Sequence, residues 1–148
     1  MEKNYKSKLF KIKTFIFDVD GVLTDGKVIV TTEGEMYRAL DTKDGYAMKY
    51  AMIKGFKIAI ISGGTNEGIR NRFQALGVKD IYLGAHEKSA AYDELVNNYK
   101  LKPDEILYIG DDIPDIPLIK KVGVSCCPSD AVTDVKSVVD YVSHKKGG

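Results

Sequence analysis

Short apolar runs alternate along the chain with longer segments whose apolar residues recur at helical spacing. The runs "TFIFDV", "KIAIIS", "DIYLG", "EILYIG", "VSCC" and "DYVS" are strand-sized and rich in β-forming residues. Between them, "DGYAMKYAMIKG", "TNEGIRNRFQALG", "EKSAAYDELVNNY", "IPDIPLIKKVG" and "DAVTDVKSVV" predict helices. Alternating strands and helices predict an α/β fold: a Rossmann-like, three-layer arrangement with a mostly parallel sheet and helices on both faces.

Two segments near the start depart from this alternation. "KVIVTTEGEMYRAL", after the first strand, predicts a β-hairpin with Gly34 at its tip. The alternation in "KLFKIK" predicts an extended lead-in to the first strand. Thr65 or Asn66 is expected to cap the helix that Gly77 ends. Without a repeat or a linker, residues 1–148 are expected to form one domain.

Composition narrows the functional classes. Lys plus Arg is 22 and Asp plus Glu is 21, so the chain lacks the basic excess of a nucleic-acid binder. Its apolar runs are shorter than the roughly 20 residues of a membrane span, and the N-terminus lacks the apolar core of a secretory signal. Cys126 and Cys127 are neighbours, which cannot readily pair. We expect a cytoplasmic protein without nucleic-acid or membrane partners.

Polar residues follow three of the predicted strands. They are Asp18 and Asp20 at the end of the first strand, Ser62, Gly63 and Gly64 at the end of the next strand, and Asp111, Asp112 and Asp115 after "EILYIG". In parallel sheets ligands bind beyond the carboxyl ends of the strands. These residues are therefore expected to meet at one edge of the sheet.

So many carboxylates in one place would repel one another unless a cation entered. Oxygen ligands without His or Cys favour a hard ion, and Mg²⁺ is the expected one. The alternative is that each Asp is a helix cap or a turn residue, which is the better interpretation of a single "DxD". Two acidic motifs that end separate strands, "DVDG" and "GDDIPD", favour the metal site.

The motifs "DVDGVLTDG", "ISGG", Lys88 in "HEKSA" and "IGDDIPD" occur in the order of the four motifs of the haloacid dehalogenase superfamily of phosphohydrolases, which the chain resembles. The resemblance implies that Asp18 attacks phosphorus and becomes an aspartyl phosphate. It implies that Asp20 protonates the leaving oxygen and then activates water. Asp18, Asp111 and the backbone carbonyl of Asp20 would hold Mg²⁺.

The resemblance also implies roles for the remaining polar residues. Ser62 and Gly63 would bind phosphoryl oxygens, and Lys88 would neutralise charge on the nucleophile and the phosphoryl group. Asp112 and Asp115 would act one step further out, by orienting metal-bound water or Lys88.

Superfamily members often carry a cap domain after the first motif or between the second and third, and this chain has no room for one there. It resembles a capless branch, the 3-deoxy-D-manno-octulosonate 8-phosphate phosphatases, in "DTKDGYAMK", "LGAHEKSAAYDEL" and "YIGDDIPDIPLI". The expected product is a lipopolysaccharide precursor. Phosphatases of nine-carbon sugar acid 9-phosphates share these motifs and remain an alternative substrate class. In the branch the second motif is often "SGR", and here position 64 is Gly.

Two further features follow from this resemblance. Lys43 is expected either to pair with the substrate carboxylate or to be a solvated loop residue. The hairpin carries Val28, Val30, Met36 and Leu40, more apolar surface than a two-stranded ribbon can bury, and a capless site would be closed by a neighbouring subunit. We therefore expect a homotetramer. A hairpin folded back on its own domain is the alternative.

Proteins of other classes use similar residues. A phospho-receiver domain also combines Mg²⁺, Asp, a hydroxyl residue and Lys, but it would need its phosphoacceptor Asp after the middle strand, where this chain has Ser62. An inactive binding module descended from a phosphatase would have lost catalytic residues that this chain keeps.

Overall fold

A six-stranded sheet, parallel throughout, forms the centre of the computed structural model, which describes residues 4–148. Its strands are β1 Thr14–Phe17, β4 Lys57–Ile61, β5 Asp80–Tyr82, β6 Ile106–Ile109, β7 Val124–Cys127 and β8 Tyr141–Val142. They lie in the order β5-β4-β1-β6-β7-β8. The central strand β1 pairs in parallel with β4 on one side and with β6 on the other. The predicted α/β fold with a mostly parallel sheet is confirmed.

Helices cover both faces of this sheet. They are α1 Thr42–Ile53, α2 Glu67–Leu76, α3 Lys88–Tyr99, α4 Ile116–Ile119 and α5 Thr133–Val138. Ile58 and Ile60 of β4 pack with α1 and α2, whereas Ala59 and Ile61 pack with α3, α4 and α5. Successive strand residues point to opposite faces, so a strand covered on both sides must be apolar at every position.

The helix boundaries follow the capping residues in the sequence. Asn66 caps α2 by accepting a hydrogen bond from the Gly68 backbone N–H, and Gly77 ends α2 with a left-handed φ of 99°. Asp41 caps α1 by accepting from the Lys43 backbone N–H. The residues after each strand are thus fixed against the start of the following helix.

The predicted hairpin is present and lies outside the main sheet. Strands β2 Ile29–Val30 and β3 Met36–Tyr37 pair antiparallel, and their residues are exposed. Within residues 4–148, only this hairpin and α1 lie between β1 and β4, and only α2 and β5 lie between β4 and α3. The described chain therefore has no inserted cap domain.

One local expectation was wrong. The "KLFKIK" segment is not extended: Tyr5–Lys11 form a 3₁₀ helix, and the first strand begins at Thr14. Ile12 is the only buried residue of this segment, whereas a strand with one buried face would bury alternate residues. The short helix expected in "IPDIPLIKKVG" is present as α4, with a proline in its first turn and a 3₁₀ turn, Ile113–Asp115, before it. Residues 1–3 of the predicted domain lie outside the described residues.

No helix in the described part of the chain is long and apolar enough to cross a membrane.

Candidate active site

A cleft of about 400 Å³ opens at the carboxyl ends of β1, β4 and β6. Among its lining residues are all the sequence-predicted site residues except Lys43: Asp18, Asp20, Ser62, Gly63, Lys88, Asp111, Asp112 and Asp115. Lys43 lies in the first turn of α1 with an exposed side chain. The convergence predicted from the strand ends is thus seen in the fold.

Asp18 sits at the end of β1 and is 6% exposed. Its backbone N–H donates to the Ile109 carbonyl at 3.0 Å, which extends the parallel ladder one residue beyond the strand. One carboxylate oxygen of Asp18 accepts from the Val19 N–H at 2.7 Å. Backbone pairing with β6 and the hydrogen bond from Val19 therefore fix this side chain at the floor of the cleft.

Lys88, the first residue of α3, is buried between two carboxylates. Its ammonium nitrogen lies 3.0 Å from Asp18 Oδ1 and 2.6 Å from Asp115 Oδ1. Burial by itself disfavours the charged form, but the Asp18 and Asp115 carboxylates outweigh it and raise the pKa of Lys88 above its usual 10.5. The cleft thus contains a fixed positive charge in contact with Asp18.

Asp115 is fully buried and accepts four hydrogen bonds. Lys88 and the Tyr108 hydroxyl donate to Oδ1, and the backbone N–H groups of Asp111 and Asp112 donate to Oδ2 at 2.9 and 3.1 Å. A carboxylate offers about four lone-pair sites, so Asp115 has no oxygen left for a metal ion. It links Lys88 to the loop that carries Asp111.

Oxygens of Asp18, Asp111 and Asp115 lie within 4.8 Å of one another. Burial, together with the Asp115 charge, raises the pKa of Asp18 to about 6, although Lys88 opposes the shift. Burial, together with the Asp18 and Asp115 charges, raises the pKa of Asp111 to about 7. Holding these two carboxylates close together costs free energy, which a hard divalent cation would offset. Asp18 and Asp111 both have free oxygens that can bind such a cation.

Gly21 permits the approach of the Asp111 carboxylate to the loop after β1. A Cβ atom at position 21 would lie 1.9 Å from Asp111 Oδ2, and the φ of Gly21 is +82°. Both the space and the backbone conformation therefore require glycine. The glycine in "DVDG" brings the two acidic motifs together.

Asp20 makes a contact that the sequence did not predict. Arg38, just after β3 of the hairpin, donates from Nε to Asp20 Oδ1 at 2.5 Å and from Nη2 to Oδ2 at 3.1 Å. The hydrogen bond to Asp20 raises the pKa of Arg38 above its usual value. A basic residue at the end of an exposed hairpin gives no sequence signal for a partner 18 positions away.

The remaining predicted residues take fixed positions in the cleft. Ser62 is 3% exposed, its hydroxyl accepts from the Gly64 N–H at 3.2 Å, and Gly63 lies between them. Asp112 accepts from the Ile113 N–H at 2.7 Å and so caps the following 3₁₀ turn. Tyr108, which the sequence analysis did not select, is buried in the core and reaches the cleft only through Asp115.

Comparison with known proteins gives the same family from sequence and from structure. Residues 80–147 match the family model of haloacid dehalogenase-like hydrolases. The chain is 34% identical over 142 residues to the 3-deoxy-D-manno-octulosonate 8-phosphate phosphatase of Salmonella typhi, covering 96% of this chain and 76% of the relative.

The chain belongs to the 3-deoxy-D-manno-octulosonate 8-phosphate phosphatase family of haloacid dehalogenase-like hydrolases.

Solved structures of phosphatases of this family share the fold closely. The cobalt-bound enzyme from Haemophilus influenzae is 37% identical with a TM-score of 0.91, over 95% of this chain and 82% of that one. The Moraxella catarrhalis phosphatase, solved with a magnesium ion, a phosphate ion and a KDO molecule, is 30% identical with a TM-score of 0.92, over 97% of this chain and 83% of that one. The chain is therefore not a phospho-receiver domain.

Proposed function

We propose that this phosphatase hydrolyses 3-deoxy-D-manno-octulosonate 8-phosphate to the free sugar acid and inorganic phosphate. The observation that carries the proposal is the buried Asp18–Lys88–Asp115 arrangement beside Asp111, in a chain that aligns over 96% of its length with a phosphatase of that substrate. The product is a lipopolysaccharide precursor. We place the reaction in the cytoplasm, in keeping with the two free cysteines.

The reaction proceeds in two displacements at phosphorus. An Asp18 carboxylate oxygen attacks phosphorus, the bond from phosphorus to the sugar oxygen breaks, and Asp20 gives its proton to that oxygen. Water then attacks the aspartyl phosphate, Asp20 takes a proton from the water, and the Asp18 carboxylate leaves. Both residues lie near the start of one loop, two positions apart, so both can reach one phosphoryl group.

Three other groups act on the charge of the phosphoryl group. Lys88 neutralises negative charge on Asp18 and on the transferring oxygens, from its position 3.0 Å from Asp18. Ser62 donates a hydrogen bond from its hydroxyl, and Gly63 one from its backbone N–H, to phosphoryl oxygens. Asp115 holds Lys88 in place and does not itself touch the substrate.

The carboxylates of Asp18 and Asp111 and the backbone carbonyl of Asp20 would hold Mg²⁺, and Asp112 would orient water bound to it. When bound, the ion neutralises phosphoryl charge and the repulsion between the two carboxylates. The raised pKa values of Asp18 and Asp111, about 6 and about 7, support a cation at this position.

We propose that the hairpin assembles the protein into a homotetramer and closes the cleft of a neighbour. Ile29 and Val30 of β2 are 71% and 64% exposed, and Met36 and Tyr37 of β3 are 44% and 53% exposed. Such a two-stranded ribbon does not bury its own apolar side chains. Leu40, expected to add to this surface, packs instead against the core of its own chain.

Lys43 would pair with the substrate carboxylate from the first turn of α1. It lies outside the cleft of its own chain, so its exposed side chain would have to extend to the substrate. Lys43→Ala should then raise KM for the sugar acid phosphate and leave p-nitrophenyl phosphate unaffected. Equal effects on both esters would remove Lys43 from substrate recognition.

Turnover across eight- and nine-carbon sugar acid phosphates, measured with Mg²⁺ and with EDTA, tests the function. We expect multiple turnovers, dependent on Mg²⁺ and fastest for the eight-carbon 8-phosphate. Preference for a nine-carbon 9-phosphate would keep the reaction and reassign the substrate. Release of one phosphate per chain, or none, would overturn the proposal.

A further inference from the structure

The side chain of Arg38 is buried beside Asp20, which lines the cleft, although the hairpin that precedes Arg38 is exposed. Its side chain is 6% exposed, whereas that of its partner Asp20 is 37% exposed. A third hydrogen bond runs from Nη1 to the Met36 carbonyl at 3.1 Å. The guanidinium is therefore held by the hairpin backbone on one side and by Asp20 on the other.

The guanidinium also faces Gly64, which lines the cleft. A Cβ atom at position 64 would lie 3.1 Å from Arg38 Nη2 and 3.6 Å from the Ser62 hydroxyl. A longer side chain at position 64 would displace Arg38, so this glycine makes room for it. An arginine has five N–H donors, and within residues 4–148 the hydrogen bonds of Arg38 use three of them.

Protonation of Asp20 in the proposed reaction would weaken its pair with Arg38. Both Asp20 oxygens accept from Arg38, and an oxygen that carries the proton for the leaving group is a poorer acceptor than a carboxylate oxygen. A second cavity, of about 420 Å³, lies between the hairpin and the start of α2 and is lined by Arg38. Arg38 therefore borders free volume as well as Asp20.

We propose that Arg38 is an anion-binding residue of the cleft, which holds Asp20 in the free protein and exchanges it for an oxyanion of the substrate. The inference rests on the proposed function, because it assigns a substrate contact to that same site. The forked guanidinium pairs equally well with a phosphoryl or a carboxylate group. A sugar acid phosphate carries both groups, so the two must be separated by experiment.

Calorimetric titration with single anions separates them. Wild type, Arg38→Gln and the control Arg70→Gln are titrated with inorganic phosphate plus Mg²⁺, and separately with 3-deoxy-D-manno-octulosonate. Arg70 is a matched control because it pairs with Glu67 at 2.9 Å, outside the cleft. Loss of a charge-assisted contact should weaken binding by roughly 10- to 100-fold in Arg38→Gln alone.

Weaker phosphate binding would assign the phosphoryl group to Arg38, and weaker sugar acid binding would assign the carboxylate. Wild-type affinity of Arg38→Gln for both anions would overturn the proposal and leave Arg38 as a positioning residue for Asp20. In steady-state kinetics the proposal predicts a raised KM for the sugar acid phosphate, whereas pure positioning predicts a lowered kcat with KM unchanged.

A measurement on the wild-type protein avoids dependence on the folding of the variant. The chain has three arginines, 38, 70 and 72, so its Nε–H resonances are few enough to assign in ¹⁵N-arginine-labelled protein. The Arg38 signal should move on adding either phosphate or the sugar acid, while that of Arg70 stays. An unmoved Arg38 signal at saturating concentrations of both anions would overturn the exchange. Failure of the proposed function would appear separately, as wild-type protein that turns over no sugar acid phosphate.

Discussion

Gly147 packs directly against the backbone of Gly21, in the loop that follows β1. A Cβ atom at position 147 would lie 2.0 Å from the Gly21 carbonyl oxygen and 2.9 Å from that of Thr24. The Gly147 N–H donates to Asp130 at 3.0 Å, and the Gly148 N–H to the Val22 carbonyl at 3.2 Å. The end of the chain thus supports the loop between Asp20 and the hairpin.

This contact predicts that Gly147→Ala lowers activity without altering any residue of the cleft. A methyl group must push either the Gly21 loop or the 147–148 segment away, and Asp20 lies next to that loop. We expect kcat to fall by about 10-fold or more, because small displacements of reacting groups are costly. Lys146→Ala, at an exposed neighbouring position, is the control. Full activity of Gly147→Ala would show that the loop tolerates the shift.

Asp18→Asn and Asp20→Asn separate the two steps of the proposed chemistry. An amide keeps the shape of the side chain but cannot attack phosphorus or transfer the proton. Asp18→Asn should therefore abolish turnover, and Asp20→Asn should lower kcat by roughly 10²- to 10⁴-fold. Urea unfolding should show both variants folded. Asp18→Asn relieves repulsion from Asp111 and Asp115, and Lys88 keeps its partner Asp115. Asp20→Asn keeps a carbonyl oxygen that can accept from Arg38. Near-wild-type turnover by Asp18→Asn would exclude the covalent mechanism.

Asp115 should matter more for stability than any other carboxylate of the cleft. Asp115→Asn breaks a buried ion pair with Lys88. It also replaces one of the two accepting oxygens with a donating NH₂ group, which cannot accept from the surrounding donors. Together these changes should cost about 3–5 kcal/mol. Tyr108→Phe removes one of the four hydrogen bonds and should cost about 1 kcal/mol. Free energies of unfolding from urea denaturation rank the variants, with Asp112→Asn as the control. Equal costs for the Asp115 and Asp112 variants would contradict this assignment.

Metal-free protein should lose stability as pH rises from about 4 to 7. The pKa values of Asp18 and Asp111 are raised from 3.8 to about 6 and about 7, so the folded state binds more protons than the unfolded state in this range. Their contribution is complete below pH 3.8 and is lost as pH passes the raised values. Added Mg²⁺ should reverse the trend, because it binds the deprotonated carboxylates.

Thermal melting from pH 4 to 8, with EDTA and with Mg²⁺, measures both effects. The stabilisation by Mg²⁺ should increase with pH and level off above about 7. In Asp111→Asn most of it should disappear. A stabilisation by Mg²⁺ that is equally large at pH 4 and pH 8 would place the ion elsewhere.

Charges on the exposed hairpin should break the proposed tetramer. Val28→Asp with Val30→Asp places carboxylates in the proposed interface, where burial is costly. Light scattering should show smaller species, and activity should fall although every residue of the cleft is unchanged. Thr32→Asp, near the hairpin tip, is the control. A wild-type protein that is monomeric and fully active at assay concentration would disprove the assembly.

The sequence alone determined the sheet, the helices and the meeting of the acidic motifs. Strands covered on both faces must be apolar throughout, so β1, β4 and β6 stand out as runs, and Asn66 and Gly77 mark the ends of α2. Because parallel strands end at the same edge, residues as far apart as Asp18 and Asp111 could be brought together by topology alone. These features depend on local periodicity and on one rule of chain topology.

Only the tertiary structure decided which side chains contact these residues. Arg38 reaches Asp20 because the hairpin returns over the edge of the sheet and Gly64 leaves space for the guanidinium. Tyr108 looks like a core residue of β6, and its hydroxyl becomes part of the site only because Asp115 is buried beside it. Such pairings depend on where distant segments pack and on space left by absent side chains. Neither the packing of distant segments nor the space left by a small residue can be deduced from the local pattern of a single sequence.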